Sequence, residues 1–243
     1  MRIPKFIRSY RRQMSWLLER HSEEEAMSRA VGCNFDGIGQ LEYRLLRQYG
    51  LEPQHSVVDV GCGSGRLAAQ LKDYLQSDYL GMDIVPDLLK YAEALCKRPD
   101  WQFRKVDGLT IPAADGSADF VVFFSVVTHL TQEHSYRYLA EARRVLKPHG
   151  KIIFSFLEFA VPAHWAVFDV TLNDPNPDKV LNEFIGRDAI AAWAEHLGLG
   201  VQAIHGGDED FIALDQPVKM DDGSVLQGSA SLGQSVCVLT KTQ

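Results

Sequence analysis

Short apolar runs alternate along this chain with longer segments in which apolar residues recur at helical spacing. The run at 118–125 is almost entirely apolar, as expected for a strand that is covered on both faces of a sheet. Pro148 and Gly150 end the helical pattern that follows it. The alternation predicts an α/β fold with a doubly wound, mostly parallel seven-stranded sheet. The predicted strands are 56–60, 78–82, 102–106, 118–125, 150–157, 201–205 and 235–240, and the predicted helices between or after them are 64–76, 87–97, 132–147 and 187–197.

The first 50 residues have a helical pattern of their own. Residues 9–31 have helix-forming composition, with Ser22 before three glutamates as a second helix start. The glycine-rich stretch 32–39 is predicted as a loop, and 41–49 as an amphipathic helix that Gly50 ends. We therefore expect a helical extension at 1–50 before one domain at 51–243. That domain has variable insertions at about 158–186, expected as a loop or lid on the substrate side, and at about 206–233, expected as a hairpin or long loop.

Composition narrows the class of protein without defining its chemistry. The chain has 243 residues, of which 46% are hydrophobic and 23% charged, as in ordinary globular proteins. Its apolar runs are too short for a membrane span, and its N-terminus lacks the apolar core of a signal peptide. The four cysteines are far apart, without metal-ligand or disulfide spacing, so we expect no metal and a reduced, cytoplasmic setting.

The charge is distributed unevenly along the chain. Residues 1–20 contain six basic residues and one acid, so the rest of the chain is more acidic than the net charge of −7 suggests. An acidic body argues against non-specific nucleic-acid binding and, with it, against DNA as a partner. The basic N-terminus is expected either to touch an anionic surface or to be a solvated helix or frayed terminus.

The most informative motif is the stretch 57–68, Val-Val-Asp-Val-Gly-Cys-Gly-Ser-Gly-Arg-Leu-Ala. A β-branched run ends at Asp59, glycines follow at Gly61, Gly63 and Gly65, and a helical pattern begins at once. Glycine adopts positive φ and lets a ligand approach the backbone closely. The third glycine comes one residue too early for a dinucleotide fingerprint. The motif therefore predicts either a different small-molecule loop or a turn that merely closes a βα unit.

Two further acids follow the next two predicted strands. Asp83 comes 24 residues after Asp59, where an acid can accept hydrogen bonds from ribose hydroxyls. Asp107 follows the third strand. Either residue alone could be a helix cap. Three acids after consecutive strands instead indicate one crevice at the carboxyl ends of the sheet.

The pattern Asp-x-Gly-x-Gly-x-Gly resembles motif I of the class I S-adenosylmethionine (SAM)-dependent methyltransferases of small-molecule type. The stretches 111–119 and 141–150 resemble further segments of that family, although His149 stands where a second glycine is usual. The resemblance covers about residues 53–157. It implies a Rossmann-like fold, SAM as cofactor, S-adenosylhomocysteine (SAH) as product, and Asp107 facing the adenine amino group. The implied cofactor contacts are Asp59, Gly61, Cys62, Gly63, Gly65, Asp83, Ile84, Asp107, Gly108 and Ser125.

The resemblance also implies in-line transfer of the sulfonium methyl to an N, O or C acceptor. Positioning can supply roughly 7–11 kcal/mol, and a base is needed only where the acceptor keeps its proton. His129, after the fourth strand, is a candidate base, and the alternative is that it packs or caps the next helix. Glu158, His164 and Trp165, after the fifth strand, are candidate acceptor-pocket residues, and the alternative is simple packing.

Missing motifs narrow the acceptor. The fourth strand ends in Phe-Phe-Ser, not in the Asn/Asp-Pro-Pro-Tyr/Phe of amino-adenine methyltransferases, and no Pro-Cys dipeptide offers a nucleophile for cytosine carbon 5. We expect a small metabolite or glycan precursor, with a lipid or quinone as a further option. The alternatives are an RNA or protein methyltransferase, or a non-catalytic cofactor-binding protein on the same scaffold. The oligomeric state is open.

Overall fold

The computed structural model describes residues 5–176 and 179–241, and side chains from residue 10 onward. Helices and strands alternate through most of this part of the chain, as predicted. The helices are α1 (Lys5–Leu18), α2 (Glu23–Ala30), α3 (Phe35–Gln48), α4 (Arg66–Leu71), α5 (Pro86–Cys96), α6 (Gln132–Val145), α7 (His164–Asn173) and α8 (Arg187–His196). The strands are β1 (Val57–Val60), β2 (Tyr79–Asp83), β3 (Gln102–Lys105), β4 (Ala118–Phe123), β5 (Leu146–Phe156), β6 (Leu199–His205), β7 (Ile212–Ala213), β8 (Val218–Lys219), β9 (Val225–Leu226), β10 (Ser229–Ala230) and β11 (Ser235–Lys241).

Seven of the strands form one sheet in the order β3-β2-β1-β4-β5-β11-β6. Neighbouring strands from β3 to β5 are parallel, whereas β11 is antiparallel to both β5 and β6. The predicted α/β fold class is therefore confirmed. The strand order reverses direction between β1 and β4, and ligands of open α/β sheets bind at such a switch point, outside the carboxyl ends of the strands.

Apolar residues of the central strand β4 face both sides of the sheet. Val121 and Phe123 belong to the core on one side, and Phe120 and Val122 to the core on the other. This alternation explains the continuous apolar run, because helices cover both faces. The leucines of α3 pack into the second of these cores, so α3 is part of the sheet's own packing. The predicted division of the chain at residue 50 stays a prediction.

The loop predicted at 32–39 is wrong, because α3 begins at Phe35. Asn34 adopts a left-handed conformation just before the helix, at φ 49°. Residue 39, within α3, is a glycine because a Cβ there would stand 2.7 Å from the carbonyl oxygen of Arg66. Close packing against α4 thus outweighs the low helix propensity of glycine.

The first insertion is also more ordered than a loop, because it contains α7. Most residues of α7 are exposed although many are apolar, so no one-sided pattern marks this helix in the sequence. The helix start at Ser22 is confirmed, since its side chain accepts a hydrogen bond from the Glu25 N–H at 3.3 Å. The hairpin expected at 206–233 is confirmed as two short antiparallel pairs, β7 with β10 and β8 with β9.

Across the described residues, no helix is both long and apolar enough to cross a membrane. The same part of the chain holds no cluster of histidine, cysteine and acidic residues that could bind a metal ion.

Candidate cofactor site

A cavity of about 440 Å3 lies at the carboxyl ends of β1, β2 and β4, at the switch point of the sheet. Its walls come from the turns after these strands and from α1, α2 and α3, which close it from the N-terminal side. The predicted cofactor and catalytic residues in this lining are Asp59, Gly61, Cys62, Gly63, Asp83, Ile84, Ser125 and His129.

A direct hydrogen bond joins the glycine loop to the acid after β2. The N–H of Gly63 donates to Asp83 Oδ2 at 3.1 Å, and the N–H of Val85 donates to Oδ1 at 2.9 Å. Gly63 has φ +56°, and a Cβ there would stand 2.5 Å from Cγ1 of Val31. Burial raises the pKa of Asp83, while the two backbone bonds oppose that effect. The carboxylate is thus held at the cavity wall, where it can accept hydrogen bonds from a ligand's hydroxyls.

Asp59 is a buried acid at the floor of the cavity. Burial raises its pKa to about 7, and the hydrogen bond that Tyr79 Oη donates to Oδ2 at 2.7 Å opposes this. The carboxyl is therefore partly protonated near neutral pH. A cationic ligand nearby would favour its ionised form.

A buried ion pair between Glu42 and Arg66, which the sequence motifs do not predict, forms the adjoining wall. Arg66 also donates from Nη1 to the carbonyl oxygen of Val31 at 2.6 Å. Burial raises the pKa of Glu42, and the charge of Arg66 opposes this. A signal was present in the sequence, since Glu42 interrupts the apolar face formed by Leu41 and Leu45. With Asp59 and Asp83, this wall gives the cavity more buried acids than buried cations, which suits a ligand carrying positive charge.

His129 lies at the opposite side of the cavity, at the end of a single 3-10 turn (Val127–His129) after β4. Its Nδ1 lies 2.7 Å from the carbonyl oxygen of Leu181, and its ring contacts that of Tyr10 edge-on at 5.4 Å. Burial lowers the pKa of His129 below its ordinary range, opposed by the bond to Leu181. Ser125, at φ 56°, begins the segment that leads to this turn.

Three of the expected cofactor contacts do not line the cavity. The Asp107 side chain is 65% exposed and pairs with Lys105 Nζ at 2.7 Å and Arg11 Nη2 at 3.3 Å. Gly108 instead accepts a hydrogen bond from Tyr138 Oη at 2.8 Å, and Gly65 packs against α5. This geometry does not support the expectation that Asp107 faces an adenine. Basic neighbours draw its carboxylate to the outside.

The three acceptor-pocket candidates also lie outside the cavity, and the packing alternative describes them better. The buried Glu158 accepts two hydrogen bonds from Arg187 Nε and one from its Nη2, at 2.8–3.1 Å, and one from Ser235 Oγ at 2.6 Å. The buried His164 lies with Nδ1 3.0 Å from the Glu158 carbonyl oxygen. Trp165 donates from Nε1 to the Phe159 carbonyl oxygen at 3.0 Å. These contacts join the segment after β5 to α7, α8 and β11, and the acceptor-pocket role of Glu158, His164 and Trp165 stays a prediction.

Comparison with known proteins agrees with the fold and the motif. A methyltransferase domain family matches residues 58–154. A sterol 24-C-methyltransferase of Gibberella zeae is 28% identical over 201 residues, which are 80% of this chain and 50% of that protein. A malonyl-[acyl-carrier protein] O-methyltransferase of Hahella chejuensis is 28% identical over 148 residues, 59% of this chain and 50% of that protein.

Among solved structures, the magnesium protoporphyrin IX methyltransferase of Synechocystis PCC 6803 with bound SAH has a similar fold. Its TM-score is 0.60 at 14% identity, with 86% of each chain covered, and at this identity the likeness concerns the fold alone. Residues 58–154 thus match a methyltransferase domain, and the sheet has the fold of a SAM-dependent methyltransferase, so SAM is the cofactor that this domain implies. The chain spans about half the length of the curated relatives described above.

The residues of the cavity fit this cofactor. Asp83 is placed to accept hydrogen bonds from the ribose hydroxyls, since both of its oxygens are held by backbone N–H groups at the cavity wall. The buried acids Glu42 and Asp59 suit the positive charges of the sulfonium and the α-amino group. Arg66 offers a buried guanidinium, whose Nε has no hydrogen-bond partner within the protein, to a carboxylate.

Proposed function

We propose that this protein is a SAM-dependent methyltransferase that acts on a small-molecule acceptor. The observation that carries the proposal is the bond between Gly63 and Asp83, which joins the glycine loop at one cavity to the acid that we propose for the ribose hydroxyls. His129 lies in the wall of the same cavity. We propose His129 as the base for an acceptor that keeps its proton.

When bound, SAM supplies a methyl group already activated by the sulfonium. The chain's own contribution is then alignment, together with removal of a proton where the acceptor retains one. Because Nδ1 of His129 lies at hydrogen-bond distance from a carbonyl oxygen, the neutral ring carries its proton on Nδ1. The lone pair of Nε2 is then free to take a proton from an acceptor hydroxyl or amine.

The relatives do not share one acceptor. One is named for methylating a sterol carbon and the other for an oxygen of a malonyl group on a carrier protein. We therefore propose the class, a small metabolite or glycan precursor, rather than a compound. The four cysteines are free thiols, Cys33 partly exposed and Cys62, Cys96 and Cys237 buried, and this supports the reducing, cytoplasmic setting that we propose.

Transfer of a labelled methyl group tests the proposal. The protein is incubated with SAM carrying a tritiated methyl and with a cell extract separated into small-molecule, RNA and protein fractions. We expect label in the small-molecule fraction, and loss of that label with Asp83→Ala. Label only in RNA or protein would contradict the proposed acceptor class. No label in any fraction, despite SAH binding, would favour a non-catalytic cofactor-binding protein.

A further inference from the structure

A second cavity, of about 420 Å3, lies beside the cofactor cavity between α1 and α7. The two cavities share Gln13, Val180 and Asn182 in their linings. A molecule in the second cavity would therefore lie next to a ligand of the cofactor cavity. We call this second cavity the α1/α7 groove; its volume lies within the range of about 300–1,000 Å3 typical of small-ligand sites.

We propose that the α1/α7 groove is the acceptor site, and that the acceptor is amphipathic, with a polar reacting end and an extended apolar part. This inference rests on the proposed function and specifies its substrate class. It differs from the expectation that residues after β5 would form the acceptor pocket, since Glu158 and His164 are engaged elsewhere.

The apolar wall of the groove is formed by two exposed side chains on opposite helices. Trp16 of α1 is 50% exposed and Val170 of α7 is 71% exposed, and both line the groove. Leu172 and Leu181, on α7 and on the segment after it, are also exposed. Neither leucine lines the groove, whose other lining residues are Val180 and seven polar or charged residues. Single exposed apolar residues are ordinary, but two on the walls of one concave site indicate a binding surface. An apolar ligand bound in the groove would cover the exposed side chains of Trp16 and Val170.

The groove keeps its shape through polar contacts between α7 and the following segment. Asn182 Nδ2 donates to Thr171 Oγ1 at 2.8 Å. Lys179 Nζ donates to the carbonyl oxygens of Thr171 and Asp174, at 2.9 Å for Asp174. These contacts hold the last turn of α7 against residues 179–182. A site that is already formed needs little ordering when a ligand binds.

The distribution of polar groups orients the acceptor. Gln13 and Asn182 lie at the junction of the two cavities, and their amides can bond a hydroxyl or carbonyl. Leu181, the neighbour of Asn182, is the residue whose carbonyl fixes His129. The reacting end of the acceptor thus lies at the junction beside His129, and its apolar part lies along Trp16 and Val170.

Binding of an alkyl glycoside tests the groove without knowledge of the natural acceptor. The full chain, saturated with SAH, is titrated by calorimetry with n-dodecyl-β-maltoside below its micelle concentration, and separately with maltose. We expect saturable binding of one dodecyl maltoside per chain and no binding of maltose. Trp16→Ala and Val170→Asp should each weaken binding by about fivefold or more, the scale of a lost apolar contact. Val225→Asp is the matched control, because Val225 is 52% exposed and lies outside both cavities.

Several outcomes would overturn the inference. These are a lack of saturable dodecyl maltoside binding, equal weakening by Val225→Asp, or displacement of SAH by the probe, which would place it in the cofactor cavity. Binding of maltose as tight as that of the dodecyl compound would show that the apolar part is not recognised. SAH affinity, measured in the same variants, should stay unchanged. A failure of SAH binding in the unmodified chain would instead refute the proposed function.

Discussion

The Nδ1 atom of His129 lies 2.7 Å from the carbonyl oxygen of Leu181, and this contact joins the turn after β4 to the segment that follows α7. The two residues are 52 positions apart in the sequence. The contact fixes both the ring orientation and the tautomer of His129. It therefore links the wall of the cofactor cavity to the segment that forms one side of the α1/α7 groove.

Replacing His129 with glutamine should slow methyl transfer and leave cofactor binding intact. Loss of a general base typically lowers kcat by about 10²–10⁴-fold. Single-turnover rates with labelled SAM measure the first effect, and calorimetry with SAH measures the second. An unchanged rate would mean that the acceptor carries no proton that must be removed, and would leave His129 with the packing role.

The rate should also depend on pH through His129. A base acts only when deprotonated, and burial lowers the pKa of this ring below its ordinary 6.5. At saturating SAM, the rate should therefore fall toward acid with a midpoint below 6.5, and stay level above it. The matched measurement is the His129→Gln profile, in which this acid limb should disappear. An identical limb in the variant would assign the titration to another group.

Asp83 and Asp107 were both predicted as cofactor contacts, but replacing them should affect SAH binding differently. Asp83→Ala should weaken SAH binding by about 1.5–3 kcal/mol, the scale of hydrogen bonds to a charged group. Asp107→Ala should change it little, because the Asp107 carboxylate is exposed and lies outside the cavity. Calorimetry on both variants makes the comparison. A large loss with Asp107→Ala and none with Asp83→Ala would reverse the assignment.

SAM affinity should rise with pH because Asp59 has a pKa of about 7 in the free protein. The cationic cofactor favours the ionised carboxyl, so binding releases a proton at and below that pH. Removing the bond that lowers this pKa, by Tyr79→Phe, should shift the rise in affinity toward higher pH. Both proteins bind the same cofactor, so loss of the proton from its α-amino group, ordinarily with a pKa of about 7.7–8.0, affects both profiles equally. If SAM affinity depended on pH in the same way in the unmodified protein and in Tyr79→Phe, the role given to Asp59 would be contradicted.

The pair formed by Glu158 and Arg187 should matter for stability and not for chemistry. Arg187→Ala leaves a buried carboxylate unpaired, which should cost about 2–3 kcal/mol, less than for a fully buried pair because Arg187 is 42% exposed. Burial raises the pKa of Glu158, but hydrogen bonds from Arg187 and Ser235 outweigh it, so the folded pKa is lowered. The pair thus stabilises above the unfolded pKa of Glu158, and this contribution is lost as pH falls through the folded value.

Urea unfolding of Arg187→Ala at neutral and acid pH measures this effect, and the difference from the unmodified protein should shrink in acid. Lys90→Ala, which removes an exposed pair with Asp87 at 4.0 Å, is the control and should change stability by less than about 0.5 kcal/mol. Loss of activity without loss of stability in Arg187→Ala would restore Glu158 to the acceptor site.

The sheet, and the part of the site formed by the glycine loop and Asp83, could be predicted because the sequence patterns that mark them are local. Buried strands produce apolar runs, and the glycine loop and Asp83 follow two of them directly. The N-terminal half of the site depends on contacts distant in sequence, such as Tyr10 with His129 and Glu42 with Arg66. The position of Asp107 and Glu158 after a strand did not predict where their carboxylates lie. Asp107 pairs with Lys105 and Arg11, and Glu158 pairs with Arg187, and these contacts hold both carboxylates outside the cavity. Helix α7 escaped prediction since its apolar residues do not lie on one buried face.

A structure of the protein with SAH bound tests the central claim most directly. We predict the ribose at Asp83, the amino-acid end toward Glu42 and Arg66, and the sulfur facing the junction with the α1/α7 groove beside His129. SAH bound elsewhere, or with its sulfur turned away from His129 and the groove, would contradict the account.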